Sequence, residues 1–259
     1  METISFEVED GVGWLTLDRP DRYNAFNDTM QEELAALWQR VRTDPDVRCV
    51  VLTGRGDKAF CTGLDREGLD DIPEFDPMTW DDPGAKLGPK SNGCYTPVIA
   101  AVNGMACGGA FYLLGEVDFV IAADHATFFD PHVTYGMAAV YEPILMAARM
   151  PLGEILRLTL LGNHERMSAS RAHAIGLVSE VVPAADLADA ARWAAAAIAS
   201  QPPRAVQATV RAIWAARELS VKQAVDLGPA LLLQGISQDD LEAGQALFTS
   251  GARIDWRLR

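Results

Sequence analysis

Two glycine-bearing stretches, each at the end of an apolar run, are the residues here whose types and order could do chemistry. Ala59-Phe60-Cys61-Thr62-Gly63-Leu64-Asp65 follows the run Cys49 to Gly54, and Asn103-Gly104-Met105-Ala106-Cys107-Gly108-Gly109-Ala110 follows Pro97 to Val102. Glycine lets backbone approach a ligand closely, and the start of a helix leaves N–H donors without partners. Two such points facing one another would supply the paired donors of an oxyanion hole. Either stretch alone reads as a turn after a strand; their pairing and order make the chemical case. A third candidate is Glu142, in Val140-Tyr141-Glu142-Pro143. It stands at the expected first turn of a helix, where the helix dipole favours a negative charge, so a catalytic base and an ordinary helix-start residue both fit. His125, His164 and His173 have no metal-ligand spacing and read as surface residues. Cys61 and Cys107 border the glycine stretches without a nucleophile motif and read as small packing residues.

Positioning such residues requires an α/β framework. Ile4 to Glu7 and Gly13 to Leu17 form a hairpin pattern around Asp10-Gly11. Asn27-Asp28 caps an amphipathic helix running to Arg42, with Met30, Leu34, Leu37, Trp38 and Val41 on one face. Strands over 48–53 and 97–102 each lead into a glycine stretch, and Asp118 to Ala122 reads as another. Residues 66–95 are rich in acidic residues, proline and glycine, and read as a long loop or broken helix. Long loops of this kind are often lids, and Phe75, Met78 and Trp80 could line an apolar pocket there. From about 186 the chain turns helical: Leu187 to Ala199, Pro203 to Leu219, and two further helices within Ser220 to Ser250. The expected division is a core over 1–185 and a helical region over 186–259.

Composition narrows the field. The chain of 259 residues is 49% hydrophobic and carries a net charge of -14, a soluble globular profile with no apolar run long enough to span a membrane. The acidic balance argues against nucleic acid, whose affinity rests on basic contacts. Its four cysteines lack the C-x-x-C spacing of zinc sites. Together with a start that lacks signal-peptide features, they suit a reducing cytoplasm.

The combination of Leu17-Asp18-Arg19-Pro20 with Asn24-Ala25, Asp46-Val47-Arg48 to Gly54, both glycine stretches, Gly176 to Val182, and Asp240 to Phe248 resembles the crotonase superfamily, the enoyl-CoA hydratase/isomerase family. That resemblance covers nearly the whole chain and implies a spiral of repeated ββα units with a C-terminal α-helical appendage that assembles trimers or hexamers. It implies an acyl-CoA substrate, with CoA entering as part of the substrate and no separate cofactor or metal. The amides of Leu64 and Gly109 would polarise the thioester oxygen, and Arg22, Asn24, Ala25, Ala59, Gly63 and Asp65 would border the CoA. The family's hydratases hold water between two glutamates; the matching positions here are Tyr112 and His132, so both carboxylates are replaced. Tyr112 and His132 would then form the acid/base pair, with Asp130 and Tyr135 fixing their loop. Glu142 acting alone would instead give an isomerase. CoA-thioester or carbon–carbon hydrolysis by His132, and a non-catalytic acyl-CoA-binding subunit, complete the expected range.

Overall fold

The structure is a computed structural model that describes residues 1–66, 78, 82 and 84–259. The loop residues Phe75 and Trp80 lie outside the described residues, and Met78 is exposed. Contacts divide the chain into two units, Met1–Ala199 and Ser200–Arg259.

The first unit opens with the expected hairpin: β1 (Ile4–Glu9) and β2 (Val12–Leu17) pair antiparallel from Ile4↔Leu17 to Glu9↔Val12. Its two-residue turn has positive φ at both Asp10 and Gly11, the geometry whose twist matches paired strands. The helix α1 (Asp28–Val41) starts where Asn27 accepts a hydrogen bond from the Met30 amide, and it buries Met30, Leu34, Leu37, Trp38 and Val41. Then come β3 (Cys49–Gly54), β4 (Ala59–Cys61), β5 (Val98–Val102), β6 (Met105–Cys107), α2 (Ala110–Glu116), β7 (Phe119–Ala123) and β8 (Thr127–Phe129). After these follow α3 (Tyr141–Met146), α4 (Leu152–Leu160), β9 (Met167–Ser168), α5 (Ala169–Ala174), β10 (Glu180–Val182) and α6 (Leu187–Ala199).

From β3 to β8 the chain deals successive strands alternately to two sheets. One has the order β1-β2-β3-β5-β7-β10, the other β4-β6-β8-β9. Apart from β1–β2 and β8–β9, the pairings are parallel. Each passage from first to second sheet ends in a loop beside the next, which stacks the two glycine stretches on adjacent strands β4 and β6.

The larger sheet is covered on both faces, as parallel sheets require. Val50, Leu52, Val98, Ala100 and Val120 face the main core with α1 and α2. Their alternating neighbours Cys49, Val51, Ile99, Ala101 and Ile121 pack against Ala191, Ala194 and Ala195 of α6. The alanine face lets that helix lie close on the sheet, so α6 belongs to the first unit. The boundary therefore falls after Ala199, not at the expected 185/186.

The second unit holds four helices: α7 (Pro203–Glu218), α8 (Val221–Asp226), α9 (Gly228–Gly235) and α10 (Gln238–Ser250). The segment expected to form two helices after Ser220 forms three: Ser220 and Ser237 cap α8 and α10, and Pro229 in the first turn opens α9 between them. Gly235 lies against Ala208, where a methyl group would come 2.6 Å from the Ala208 Cβ. Among the described residues no helix is long and apolar enough to cross a membrane.

Candidate active site

The glycine stretches meet backbone to backbone. Gly63 has φ +86, and a methyl group placed on it would lie 2.7 Å from the Gly109 nitrogen. One placed on Gly109 would lie 2.6 Å from the Phe26 ring and 3.0 Å from the Gly63 Cα. Only glycine fits either position. On the other side of the first stretch, Phe26 donates to the Gly63 carbonyl at 2.8 Å and accepts from the Asp65 amide at 2.8 Å. In this parallel bridge Phe26 engages the residues before and after its partner Leu64. The Leu64 N–H therefore points away from Phe26, and Gly109 presents its own at the start of α2. Neither amide has a hydrogen-bond acceptor among the described residues.

Polar side chains gather beside this junction. The His132 Cε1 would be 3.7 Å from a methyl group on Gly108, which places the imidazole against the second glycine stretch. Asp130, only 1% exposed, accepts from the His132 amide at 3.0 Å and meets its Nδ1 at 2.5 Å. On the other side of the ring, Nε2 stands 3.5 Å from Oε1 of Glu142, itself buried on the first turn of α3. The three form one line: Asp130 orients the imidazole and fixes its Nδ1 as the proton-bearing nitrogen, leaving Nε2 for Glu142 and a ligand.

The electrostatics follow from these contacts. The hydrogen bond to Asp130 raises the His132 pKa above its ordinary value, and the Glu142 charge adds to this. Burial raises the Glu142 pKa, while His132 pulls the other way. Tyr112, on α2, donates to Oδ1 of Asp82 at 2.6 Å. Burial and that carboxylate push the Tyr112 pKa up, so it stays a phenol whose oxygen can still accept.

The loop holding Asp82 is pinned from behind. Gly84 lies flat against the Tyr112 ring. Trp38 donates to the Leu87 carbonyl at 2.8 Å, Glu116 accepts from the Ser91 amide at 2.8 Å, and Lys90 pairs with Asp118 at 3.1 Å. Asp82 escaped attention in the sequence because it sits in an acidic run without periodicity. Asp130 was legible only as a loop-fixing residue, although Asp two places before His132 is a local turn signal.

The remaining candidate residues lie around the glycine stretches or at the surface. Asn24 is fully buried; its amide donates to the Arg55 and Ala59 carbonyls and its oxygen accepts from the Arg19 amide. Arg19 donates to the Ala25 carbonyl and pairs with Asp65 at 2.7 Å. Ala25 and Ala59 are buried. The side chains of Asn24 and Asp65 thus brace the first glycine stretch, and of the residues expected to border the CoA, Arg22 alone is exposed. Glu142 and His132, read as rivals, are neighbours. Tyr135 is exposed, as are His125, His164 and His173. Cys61 and Cys107 are buried thiols that burial pushes up to about 12.

A fold that alternates strands between two sheets, with two glycine stretches in contact beside a His–carboxylate pair, defines a class, and the comparisons agree. The family model described as Enoyl-CoA hydratase/isomerase matches residues 7–258, and the chain belongs to this family. It is 33% identical over 251 residues to (E)-benzylidenesuccinyl-CoA hydratase of Thauera aromatica, covering 96% of each chain. It is 36% identical over 240 residues to 1,2-epoxyphenylacetyl-CoA isomerase of Escherichia coli, covering 88% of this chain and 87% of the other. Among solved structures, an enoyl-CoA hydratase/isomerase from Mycobacterium paratuberculosis superposes with TM-score 0.87 at 34% identity, over 100% of this chain and 99% of that one.

Proposed function

We propose that the protein hydrates an α,β-unsaturated acyl-CoA, or eliminates water in the reverse sense, with an acid/base set built from His132 and Glu142. The observation that carries this reading is the line Asp130–His132–Glu142 laid against Gly108. The thioester oxygen accepts from the Leu64 and Gly109 amides. His132 Nε2 takes a proton from water as the water oxygen bonds to the β-carbon, and the alkene pair moves onto the thioester oxygen as an enolate. Glu142, ionised at rest and with its pKa raised by burial, takes that proton from His132 across their contact. When the carbonyl re-forms, the α-carbon takes the proton from Glu142, which restores the starting state. Tyr112, donating to Asp82, offers its oxygen to hold the water. In this scheme Tyr112 and His132 stand where the family's hydratases carry glutamates.

The substrate panel should include aryl-substituted enoyl-CoA esters beside aliphatic ones, since a relative is named for benzylidenesuccinyl-CoA. Loss of the enoyl absorbance with one class would identify the substrate. His132→Gln and Glu142→Gln should each lower turnover by about 10²–10⁴, the usual worth of proton-transfer catalysis. The double variant should be little worse than either, because groups acting as a unit are not additive. Full activity in both single variants would overturn the scheme. Double-bond isomerisation is the second reading, favoured by the buried Glu142 carboxylate, and it would appear as a shifted alkene with no solvent oxygen incorporated. Four buried thiols fit the expected cytoplasmic setting.

A further inference from the structure

Behind the candidate acid/base pair lies a hollow of about 10 Å³, close to the minimum that admits one water molecule. Its walls include Phe111, Met146 and Ile155, and its polar lining is Asp130, Glu142 and Thr159. Thr159 is 9% exposed on α4, and its Oγ1 has no hydrogen-bond partner among the described residues. A helical threonine ordinarily returns its hydroxyl to the carbonyl four residues back; here the side chain borders the hollow with that bond unmade. An orphaned hydroxyl and two carboxylates around a space of one water's size make a polar site in an otherwise apolar wall.

We propose that Thr159 is a positioning residue whose hydroxyl holds one buried water molecule against the Asp130 and Glu142 carboxylates. Thr159 donates to the water oxygen, and the water donates its two hydrogens, one to each carboxylate. Donors to a carboxylate favour its ionised form. The water therefore opposes the effect of burial on Glu142 and maintains a charge opposite His132 Nε2. The other groups acting on the pair are Asp82 and Arg66, with Tyr112 beside them; none is altered by a change at Thr159. The consequence for turnover rests on the hydration reading, but the water and its electrostatic effect do not.

The test compares the intact protein with Thr159→Val, which keeps the shape and removes the hydroxyl, and Thr159→Ser, which keeps the hydroxyl. High-resolution crystal structures should show a water within hydrogen-bond reach of the residue 159 hydroxyl and a carboxylate in the parent and Thr159→Ser, and none in Thr159→Val. An NMR titration of the His132 imidazole should move its midpoint down toward the unperturbed value of about 6.5 in Thr159→Val, and leave it at the parent value in Thr159→Ser. A dry hollow in the parent, a Thr159 hydroxyl bonded to the Ile155 carbonyl, or identical titrations in all three proteins would overturn the proposal. Should Thr159→Val fail to fold, density in the parent and Thr159→Ser decides the matter. A water and a shifted titration in a protein inactive on every CoA ester would sink the hydration reading and leave this one standing.

Discussion

Asp130 and His132 show how two residues apart in sequence can set the working range of a site. Since the Asp130 contact raises the His132 pKa, activity that depends on the neutral imidazole should rise with pH through a midpoint above about 6.5. The Asp130→Asn variant no longer favours the imidazolium, so its rise should move to lower pH while maximal turnover falls through loss of orientation. A pH–rate profile of both proteins checks this, and coincident midpoints would remove Asp130 from the site. A second expectation concerns thiols. With Cys61 and Cys107 pushed up to about 12 by burial, the folded protein should resist alkylation at neutral pH, and mass spectrometry would count the adducts after denaturation and before. At this scale the sequence carried residue types well and partnerships poorly. His132, Tyr112 and Glu142 could be singled out from position, but the 3.5 Å approach of His132 to Glu142 depends on how α3 returns over the β8 loop. No local spacing encodes that return. Asn24 illustrates the converse: a polar residue in a site motif whose side chain bonds backbone amide and carbonyl groups.

Among the elements, the junction of β4 and β6 has the least tolerance. Gly63→Ala must accommodate both a positive φ and a methyl group 2.7 Å from the Gly109 nitrogen. Strain of this kind costs about 1–3 kcal/mol, and separating the stretches would remove a donor worth about 10²–10³ in turnover. Calorimetry and kinetics on one preparation should show a modest loss of stability with a large loss of activity. A fully active Gly63→Ala protein would place the oxyanion donors elsewhere. Trp38→Ala should act from a distance, because it removes a buried ring and the bond holding Leu87. A cost of about 3–5 kcal/mol is expected for the cavity, with Tyr112 losing its backing from the 84–87 segment. The hairpin, α1, β3, β5 and β7 were legible because each carries its own periodicity or turn chemistry, whereas β4, β6, β8, β9 and β10, of two or three residues each, are too short to carry a pattern. The placement of α6 was not: an alanine-rich helix fits a helical appendage as well as a sheet face, and only the complementary row of Val51, Ile99 and Ile121 decides between them.

For the whole molecule, assembly is the property the C-terminal helices bring into view. In the second unit Leu232, Leu233, Leu241, Leu247 and Phe248 are exposed, a spread of apolar side chains unusual on an isolated surface. The expected state in solution is a trimer or a pair of trimers, which light scattering would distinguish from the monomer; deletion from Ser237 onward should yield monomers or aggregates. A monomeric intact protein at working concentrations would defeat that expectation. The alternation of strands between two sheets has a consequence in time as well as in space. β1 and β2 meet across a two-residue turn, whereas β2 must find β3, β3 must find β5, and β5 must find β7 across intervening helices, loops and strands of the other sheet. Chains dominated by such distant pairings reach their native state slowly, since loop closure must precede any reward from contact. Among the described residues the hairpin is the sheet segment whose strands lie nearest in the chain, and the glycine junction, which needs β4 and β6 brought together across the intervening β5, belongs to the later stages of assembly.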